Sequence, residues 1–287
     1  MSSDPHTDDW LPPCDLCGGF RFDTVTNGNS VSARRCRDCD LVTLPGTAEG
    51  NAERRFSLPT DVLAEAIRHM PGGRVLLLGP PTQELLNVAR EGGVVLETPS
   101  VDAIGQRPTP PALDHLRYMP ETFDGVVATE GLEWFDAPSL VFERSRLWLR
   151  PGGTLLVGAW DIHSLPARLR RRSWIRLRAT GAHHLMSLDA IRRYAARYGF
   201  YIGAVKTRAS ARDVASSIAG TLSPSWLTEM ATLPIALASI AFGMGPLVIV
   251  RLSKGGLSTR TIRLDTEAEA ENAQGLAPAM YVGESNW

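Results

Sequence analysis

Apolar runs alternate with amphipathic segments over most of the chain. Apolar runs bounded by Gly or Pro predict buried strands at 74–79, 94–97, 123–129, 154–160, 201–206 and 247–252. Apolar positions that recur every three or four residues predict helices at 58–70, 83–90, 136–150, 187–198 and 226–242. Strands that are apolar on both faces and alternate with helices are typical of a parallel sheet covered on both sides. The predicted fold class is therefore α/β, with a doubly wound, mostly parallel sheet.

Changes in composition divide the chain into five segments. Residues 1–9 are polar, residues 10–43 contain every cysteine, and residues 44–57 have the Pro, Gly and Thr content of a linker. The α/β domain is predicted over 58–253, and 254–287 has the acidic, Ala-rich composition of a disordered tail, as 1–9 is also expected to be disordered. The chain starts without a basic segment followed by an apolar one, so a cytoplasmic protein is expected.

One apolar stretch is about as long as a membrane span, which needs about 20 residues. This stretch is Thr232–Val250, and it is interrupted by Gly243-Met244-Gly245-Pro246. The interruption favours a buried or oligomer-facing helix that leads into the last strand.

Composition narrows the class of protein further. The 287 residues are 44% hydrophobic and 21% charged, which is typical of a globular protein and excludes disorder throughout or a collagen-like repeat. The net charge of −1 excludes a general electrostatic attraction to nucleic acid or to an anionic membrane. Any such binding therefore has to come from a local patch.

One basic patch stands out, over Arg168–Arg178. It holds six arginines with Leu, Trp and Ile between them. A solvated helix face is one interpretation. The others are contact with a phosphate-bearing acceptor, such as a nucleotide sugar or a lipid headgroup, with an anionic membrane surface in a membrane-associated protein, or with a protein partner. Nucleic acid is disfavoured because the rest of the chain adds no basic stripe.

The four cysteines form two Cys-x2-Cys pairs separated by eighteen residues, at Cys14, Cys17, Cys36 and Cys39. Four thiolates at this spacing are typical of a zinc ribbon, with one Zn²⁺ held tetrahedrally. Two disulfides or a redox pair are weaker alternatives, because no export signal is evident and the motif is doubled. The ribbon serves either to stabilise its own short segment or to recognise a substrate or partner.

Four blocks that follow the cysteine segment carry a family resemblance: RVLLLGPPTQELLNVAREGG, FDGVVATEGLEWFDAP, LWLRPGGTLLVGAW and HHLMSLDAIRRYAARYGF. In this order and spacing they resemble the class I S-adenosylmethionine-dependent methyltransferases, over about Arg74–Leu252. The four-cysteine segment ahead of them is similar to that of a bacterial subgroup with an N-terminal ribbon. The resemblance implies a Rossmann-like methyltransferase fold, S-adenosylmethionine and methyl transfer.

The resemblance also assigns site residues. Gly79, Glu97 and Glu130 take the cofactor-binding positions, with Glu97 placed to hold the ribose hydroxyls. Only Gly79 remains of the glycine-rich loop, because Leu77, Pro81 and Gln83 stand where the family has an acid and two further glycines. Glu133 occupies an acceptor-side position of the family pattern.

His183 and His184 precede the helix predicted from Ser187, and histidine suits a general base near neutral pH. Together with Glu133 they are the candidate catalytic residues. Two functions follow. The first is a methyltransferase that acts on a small-molecule, sugar or lipid-linked acceptor. The second is an inactive methyltransferase fold that serves as a scaffold or regulatory binding module.

Overall fold

The computed structural model describes residues 12–27, 31–44, 58–70, 72–99, 113–169, 182–219 and 226–255. Outside these residues lie the predicted segment 1–9, the predicted tail 254–287 except its first two residues, nearly all of the predicted linker, and most of the arginine patch.

The central sheet contains six strands in the order β5-β4-β6-β7-β10-β9. Their bounds are β4 Arg74–Leu77, β5 Val95–Glu97, β6 Phe123–Val127, β7 Leu149–Trp160, β9 Phe200–Arg208 and β10 Leu247–Lys254. Strands β4 to β7 pair in parallel, whereas β10 pairs antiparallel with both of its neighbours, β7 and β9. This mixed α/β sheet confirms the predicted fold class.

Seven helices accompany the strands in the described residues. They are α1 Thr60–Arg68, α2 Gln83–Glu91, α3 Pro138–Trp148, α4 Leu165–Leu169, α5 Leu188–Arg197, α6 Ala211–Ala219 and α7 Trp226–Ala241. Local sequence explains several starts: Thr82 and Ser187 accept hydrogen bonds from backbone amides three residues on, and Pro138 occupies the first turn of α3. The short helices α4 and α6 were not predicted.

A second, four-stranded sheet has the order β1-β2-β3-β8. The cysteine segment supplies β1 Phe22–Asn27, β2 Val31–Cys36 and β3 Val42–Thr43, and β8 His184–Leu185 comes from the α/β domain. Strands β1 and β2 pair antiparallel over their full length, from Phe22 opposite Cys36 to Asn27 opposite Val31. The small sheet is therefore built from two distant parts of the chain.

Each face of the central sheet has its own buried core. On one face Leu76, Phe123 and Leu155 pack with Phe142 of α3 and Tyr194 of α5, and three of the cysteines belong to the same cluster. On the other face Leu77 and Leu156 pack with residues of α1 and α2, and with Leu185 of β8. The cysteine segment therefore shares its core with the α/β domain.

Of the two predicted arrangements of helix α7, buried or oligomer-facing, the structure does not show the buried one. Its buried residues are Thr232, Ala236 and Ser239, whereas Trp226 and Leu237 are 71% and 59% exposed. The predicted break at Gly243 follows α7, where Gly243 has a φ of 62°. In the described part of the chain no helix is long and apolar enough to cross a membrane.

Candidate functional site

The four cysteine sulfurs meet at one point of the ribbon. All four Sγ atoms lie within 4.8 Å of one another, with Cys14 and Cys39 3.4 Å apart and Cys17 and Cys36 3.5 Å apart. Tetrahedral Zn–S bonds of about 2.3 Å place sulfurs roughly 3.8 Å apart, so the spacing suits one zinc ion. The donor set of four thiols also fits, because zinc is a common partner of such sets.

The thiols interact electrostatically as a cluster. A hydrogen bond with Cys39 lowers the pKa of Cys14 to about 5, and the same contact raises the pKa of Cys39. Burial raises the pKa of Cys17. One thiolate therefore forms readily in the cluster, which favours capture of a cation.

The ribbon arginines are engaged in ion pairs with ribbon aspartates. Arg35 pairs with Asp40 at 3.0 Å and Arg37 with Asp23 at 2.6 Å, and Arg21 pairs with Asp38. Such exposed pairs contribute at most about 1 kcal/mol each. They partly neutralise the positive charge that a phosphate-binding ribbon would present.

Hydrogen bonds join both Cys-x2-Cys turns of the ribbon to the α/β domain. Asp15 accepts hydrogen bonds from the Ser139 amide at 2.9 Å and from its hydroxyl at 2.5 Å, at the start of α3. Arg193 and Arg197 of α5 donate to the carbonyls of Asp38 and Leu16, one in each turn. These contacts fix the ribbon beside the end of β6.

The predicted cofactor residues Gly79 and Glu130 lie together at the carboxyl ends of β4 and β6. Gly79 has a φ of 146°, and a Cβ there would lie 2.1 Å from Thr129 Oγ1 and 3.5 Å from Glu130 Cγ. No larger residue fits this close approach. Glu130 and Thr129 are buried. Carboxyl ends of parallel strands are where open α/β sheets bind ligands.

Glu97 lies apart from this pair. Its carboxylate accepts from Nε of Arg74 at 3.1 Å and also contacts Nη2 of the same guanidinium. The guanidinium in turn lies over the ring of Phe123, the first residue of β6. Glu97 is the last residue of β5 and pairs with Leu76 of β4, so its backbone lies at the carboxyl end of its strand while its carboxylate is held by Arg74.

The loop after β4 fits S-adenosylmethionine at three points. Gly79 lacks the side chain that would close the approach. The first amides of α2, which begins at Gln83, have no intrahelical acceptor and lie in an exposed turn. Thr129 Oγ1 is buried and has no hydrogen-bond partner among the described residues. Pro80 and Pro81 supply no amide, so this loop offers fewer donors than the family pattern.

The predicted catalytic residues Glu133, His183 and His184 lie together. The His183 amide donates to the Glu133 carbonyl at 2.8 Å, and the His183 carbonyl accepts from the Leu44 amide of the ribbon at 2.9 Å. Glu133 is buried, with its carboxylate folded against Gly131, where a Cβ would lie about 2.5 Å away from it. The ribbon thus helps to hold this edge of the site.

Asp136 joins the two histidines and was not among the predicted site residues. Its carboxylate lies 3.2 Å from His183 Nε2, and its carbonyl accepts from His184 Nε2 at 2.9 Å. A carbonyl only accepts, so His184 carries its proton on Nε2. Burial lowers the pKa of His184, which keeps the ring neutral. The position of Asp136 directly after the LEWF block is the signal that could have identified it.

Asp161 and His163 follow β7 at the same edge. Asp161 Oδ1 accepts from the His163 amide at 2.8 Å, and burial raises the pKa of Asp161. The residues after β4, β6 and β7 therefore converge on one edge of the sheet, with β8 beside them.

Several solved structures are similar to this chain. No curated protein matches the sequence. A possible histamine N-methyltransferase of Thermotoga maritima shares 17% identity over 67% of this chain and 86% of its own, with a TM-score of 0.39. A methyltransferase of Mesorhizobium loti shares 17% over 68% of this chain and 100% of its own, with a TM-score of 0.38.

A geranyl diphosphate C-methyltransferase of Streptomyces coelicolor shares 13% identity over 68% of this chain and 80% of its own, with a TM-score of 0.43. A family model described as "Methyltransferase domain" matches residues 51–205, which is more than half of the chain. The chain therefore belongs to the methyltransferase domain family and is a methyltransferase of the S-adenosylmethionine-dependent kind that its sequence resembles.

Proposed function

We propose that the chain transfers a methyl group to a hydroxyl of a small-molecule, sugar or lipid-linked acceptor, with His183 as the general base. The observation that carries this proposal is the pair of His183 Nε2 and Asp136 Oδ1, 3.2 Å apart at the carboxyl edge of the sheet. The His183 side chain is 35% exposed, so an acceptor can reach it. A hydroxyl needs a base, and a carboxylate partner orients an imidazole for that role.

The other two catalytic candidates have supporting roles in this proposal. The Glu133 carbonyl holds the His183 amide, and His184 holds the Asp136 carbonyl from a buried, neutral ring. Both contacts fix the histidine–aspartate pair relative to the end of β6. We infer that Glu133 and His184 position this pair, and that His183 receives the acceptor proton.

Gly79 and Glu130 hold the cofactor in this proposal, with the first amides of α2. S-adenosylmethionine, when bound, supplies the electrophilic methyl group. Glu97 is a further contact only if its ion pair with Arg74 opens. A phosphate-bearing acceptor would find cations in the arginine patch that begins at Arg168, which is also where a protein partner would bind.

Zinc completes the proposal as a structural ion held by the four cysteines. The ribbon alone is too short to bury an adequate core, and metal binding contributes folding free energy to such segments. The shared core and the contacts of Asp15 support a role in stability over a separate recognition role.

Calorimetric titration of the zinc-loaded chain with S-adenosylmethionine and S-adenosylhomocysteine tests the cofactor site. We expect micromolar binding that Glu130→Gln weakens by about tenfold or more, since a buried carboxylate contact is lost. Glu143→Gln, an exposed change on α3, is the matched control. Weaker cofactor binding by the Glu97→Gln variant would show that Glu97 leaves its ion pair with Arg74 to contact the cofactor.

The loop prolines favour one second candidate, a scaffold that no longer binds the cofactor. Absence of binding up to millimolar ligand, in protein whose circular dichroism spectrum shows that it is folded, would overturn the enzymatic proposal in favour of this scaffold.

Once binding is established, transfer of a labelled methyl group to hydroxylated acceptors tests the base. His183→Asn should lower kcat, whereas His115→Asn, a change at an exposed histidine, should not.

A further inference from the structure

Helix α7 exposes apolar residues and buries polar ones, which is the reverse of an ordinary surface helix. All nine of its exposed residues are apolar: Trp226, Leu227, Met230, Ala231, Leu233, Pro234, Leu237, Ile240 and Ala241. Its buried face instead holds Thr232 and Ser239, whose hydroxyls donate to backbone carbonyls of the same helix. A surface helix normally shows the opposite arrangement.

The large exposed side chains form a continuous stripe. Trp226, Met230, Leu233, Leu237 and Ile240 recur at intervals of four and three residues, which places them on one side of the helix. Phe242, 76% exposed, extends the stripe beyond the helix end. The helix is about 24 Å long. A contiguous apolar surface of this length marks a protein or membrane contact.

Positive charge lies beside this stripe. Helix α4 packs against both α6 and α7 and ends at Arg168 and Leu169, which are both exposed. Five further arginines follow within the next ten residues of the sequence. Packed helix axes are about 8–10 Å apart, so the arginine patch begins within reach of any surface that α7 contacts.

This combination discriminates between two occupants of the surface. A second copy placed against α7 would cover the apolar stripe, but its own Arg168 would add positive charge and no anion. An anionic lipid surface accepts both features, because aromatic and aliphatic side chains enter the acyl boundary while arginines bind the headgroups.

We propose that the exposed face of α7 docks on the surface of an anionic lipid membrane. The helix lies in the plane of the interface, with its Thr232 and Ser239 side packed on the protein. This proposal does not depend on the methyl acceptor.

Sedimentation of the full zinc-loaded chain with vesicles tests the proposal. We expect binding to mixed phosphatidylglycerol–phosphatidylcholine vesicles at low salt, weaker binding at high salt, and much weaker binding to phosphatidylcholine alone. The double variant Met230→Glu with Leu237→Glu should lose more than about tenfold in partitioning. Phe20→Glu with Met119→Glu, which alters exposed apolar residues elsewhere, should bind like the wild type.

Three outcomes would overturn the proposal. The first is failure of the wild type to bind anionic vesicles at low salt. The second is unchanged binding by the α7 double variant. The third, from light scattering, is a stable dimer that the same double variant dissociates without any vesicle binding, which would make this face an interface between copies.

Discussion

The carboxylate of Asp15 accepts a hydrogen bond of 2.6 Å from the phenol of Tyr194, across 179 residues of sequence. Asp15 lies between the first two cysteines, and Tyr194 lies in the buried core of α5. Burial raises the pKa of Tyr194, so the phenol keeps the proton that it donates. The same carboxylate caps α3 through Ser139. One ribbon side chain thus joins two helices of the methyltransferase domain.

Replacing Asp15 should therefore destabilise the whole protein. Asp15→Asn removes the charge from three hydrogen bonds and presents an amide donor to groups that already donate, so we expect a loss of about 1–3 kcal/mol in the free energy of unfolding. Urea unfolding followed by tyrosine and tryptophan fluorescence measures it. Asp23→Asn, whose exposed carboxylate pairs with Arg37, is the control and should cost less than about 1 kcal/mol. Equal losses would contradict the role given to Asp15.

Removing the metal should affect the site as well as the ribbon. The His183 amide donates to the Glu133 carbonyl, and the Leu44 amide donates to the His183 carbonyl. These hydrogen bonds lie where β8 pairs with β3. We expect chelation, or Cys36→Ser, to increase hydrogen exchange in β2, β3 and β8, because these strands lose the ribbon that orders them. Amides of β4 and β6 should stay protected. Unchanged exchange in β8 would show that the ribbon folds separately from the site.

Gly79 should resist substitution more strongly than another glycine with positive φ. Gly79→Ala places a methyl group 2.1 Å from Thr129 Oγ1, so we expect a loss of about 3 kcal/mol or more. Gly93→Ala, with a φ of 64° and no neighbour within 4 Å of the new atom, should cost only about 1–2 kcal/mol. Thermal unfolding compares them. Adding Thr129→Ala to Gly79→Ala should restore part of the loss, and no recovery would contradict the steric explanation.

His184 should make stability depend on pH. Its pKa is lowered in the folded state by burial, so the unfolded chain binds a proton more readily once the pH falls below the ordinary value of 6.5. The free energy of unfolding should then fall by up to about 1.4 kcal/mol per pH unit below that value, and this contribution is fully present above it. His184→Gln should flatten the slope between pH 7.5 and 5.5, measured by urea unfolding.

The exposed His115 provides the control for this measurement, because its side chain is 80% exposed. His115→Gln should leave the slope as it is in the wild type. A slope that His184→Gln does not change would mean that other groups account for the acid sensitivity.

Strands and the main helices could be predicted because their signals are local. Apolar runs such as 74–79 are buried on both faces, and Gly or Pro marks their ends. The cysteine spacing likewise predicts a cluster from short-range sequence. Gly79 and Glu130 are predicted from a family pattern that follows consecutive strands, and their cofactor role stays a prediction.

The remaining features depend on contacts between distant segments. Strand β8 is two residues long and exists because β3 pairs with it, so His184 carries no local strand signal. The place of Glu97 at the cofactor stays a prediction, and its ion pair with Arg74, 23 residues away in sequence, carries no local signal. A buried and an oligomer-facing α7 were both left open, because a helix rich in apolar residues does not reveal which side faces the protein.

The last strand of the described residues also sets an order of assembly. Strand β10 lies between β7 and β9, and it is the final element before the end of the described residues. Until Leu247–Lys254 has been synthesised, the two strands on either side of it each present an unpaired edge, which is a template for pairing with other chains. The strand that completes the sheet is therefore an interior strand and not an edge strand. A truncation before β10 removes the strand that joins β9 to the rest of the sheet.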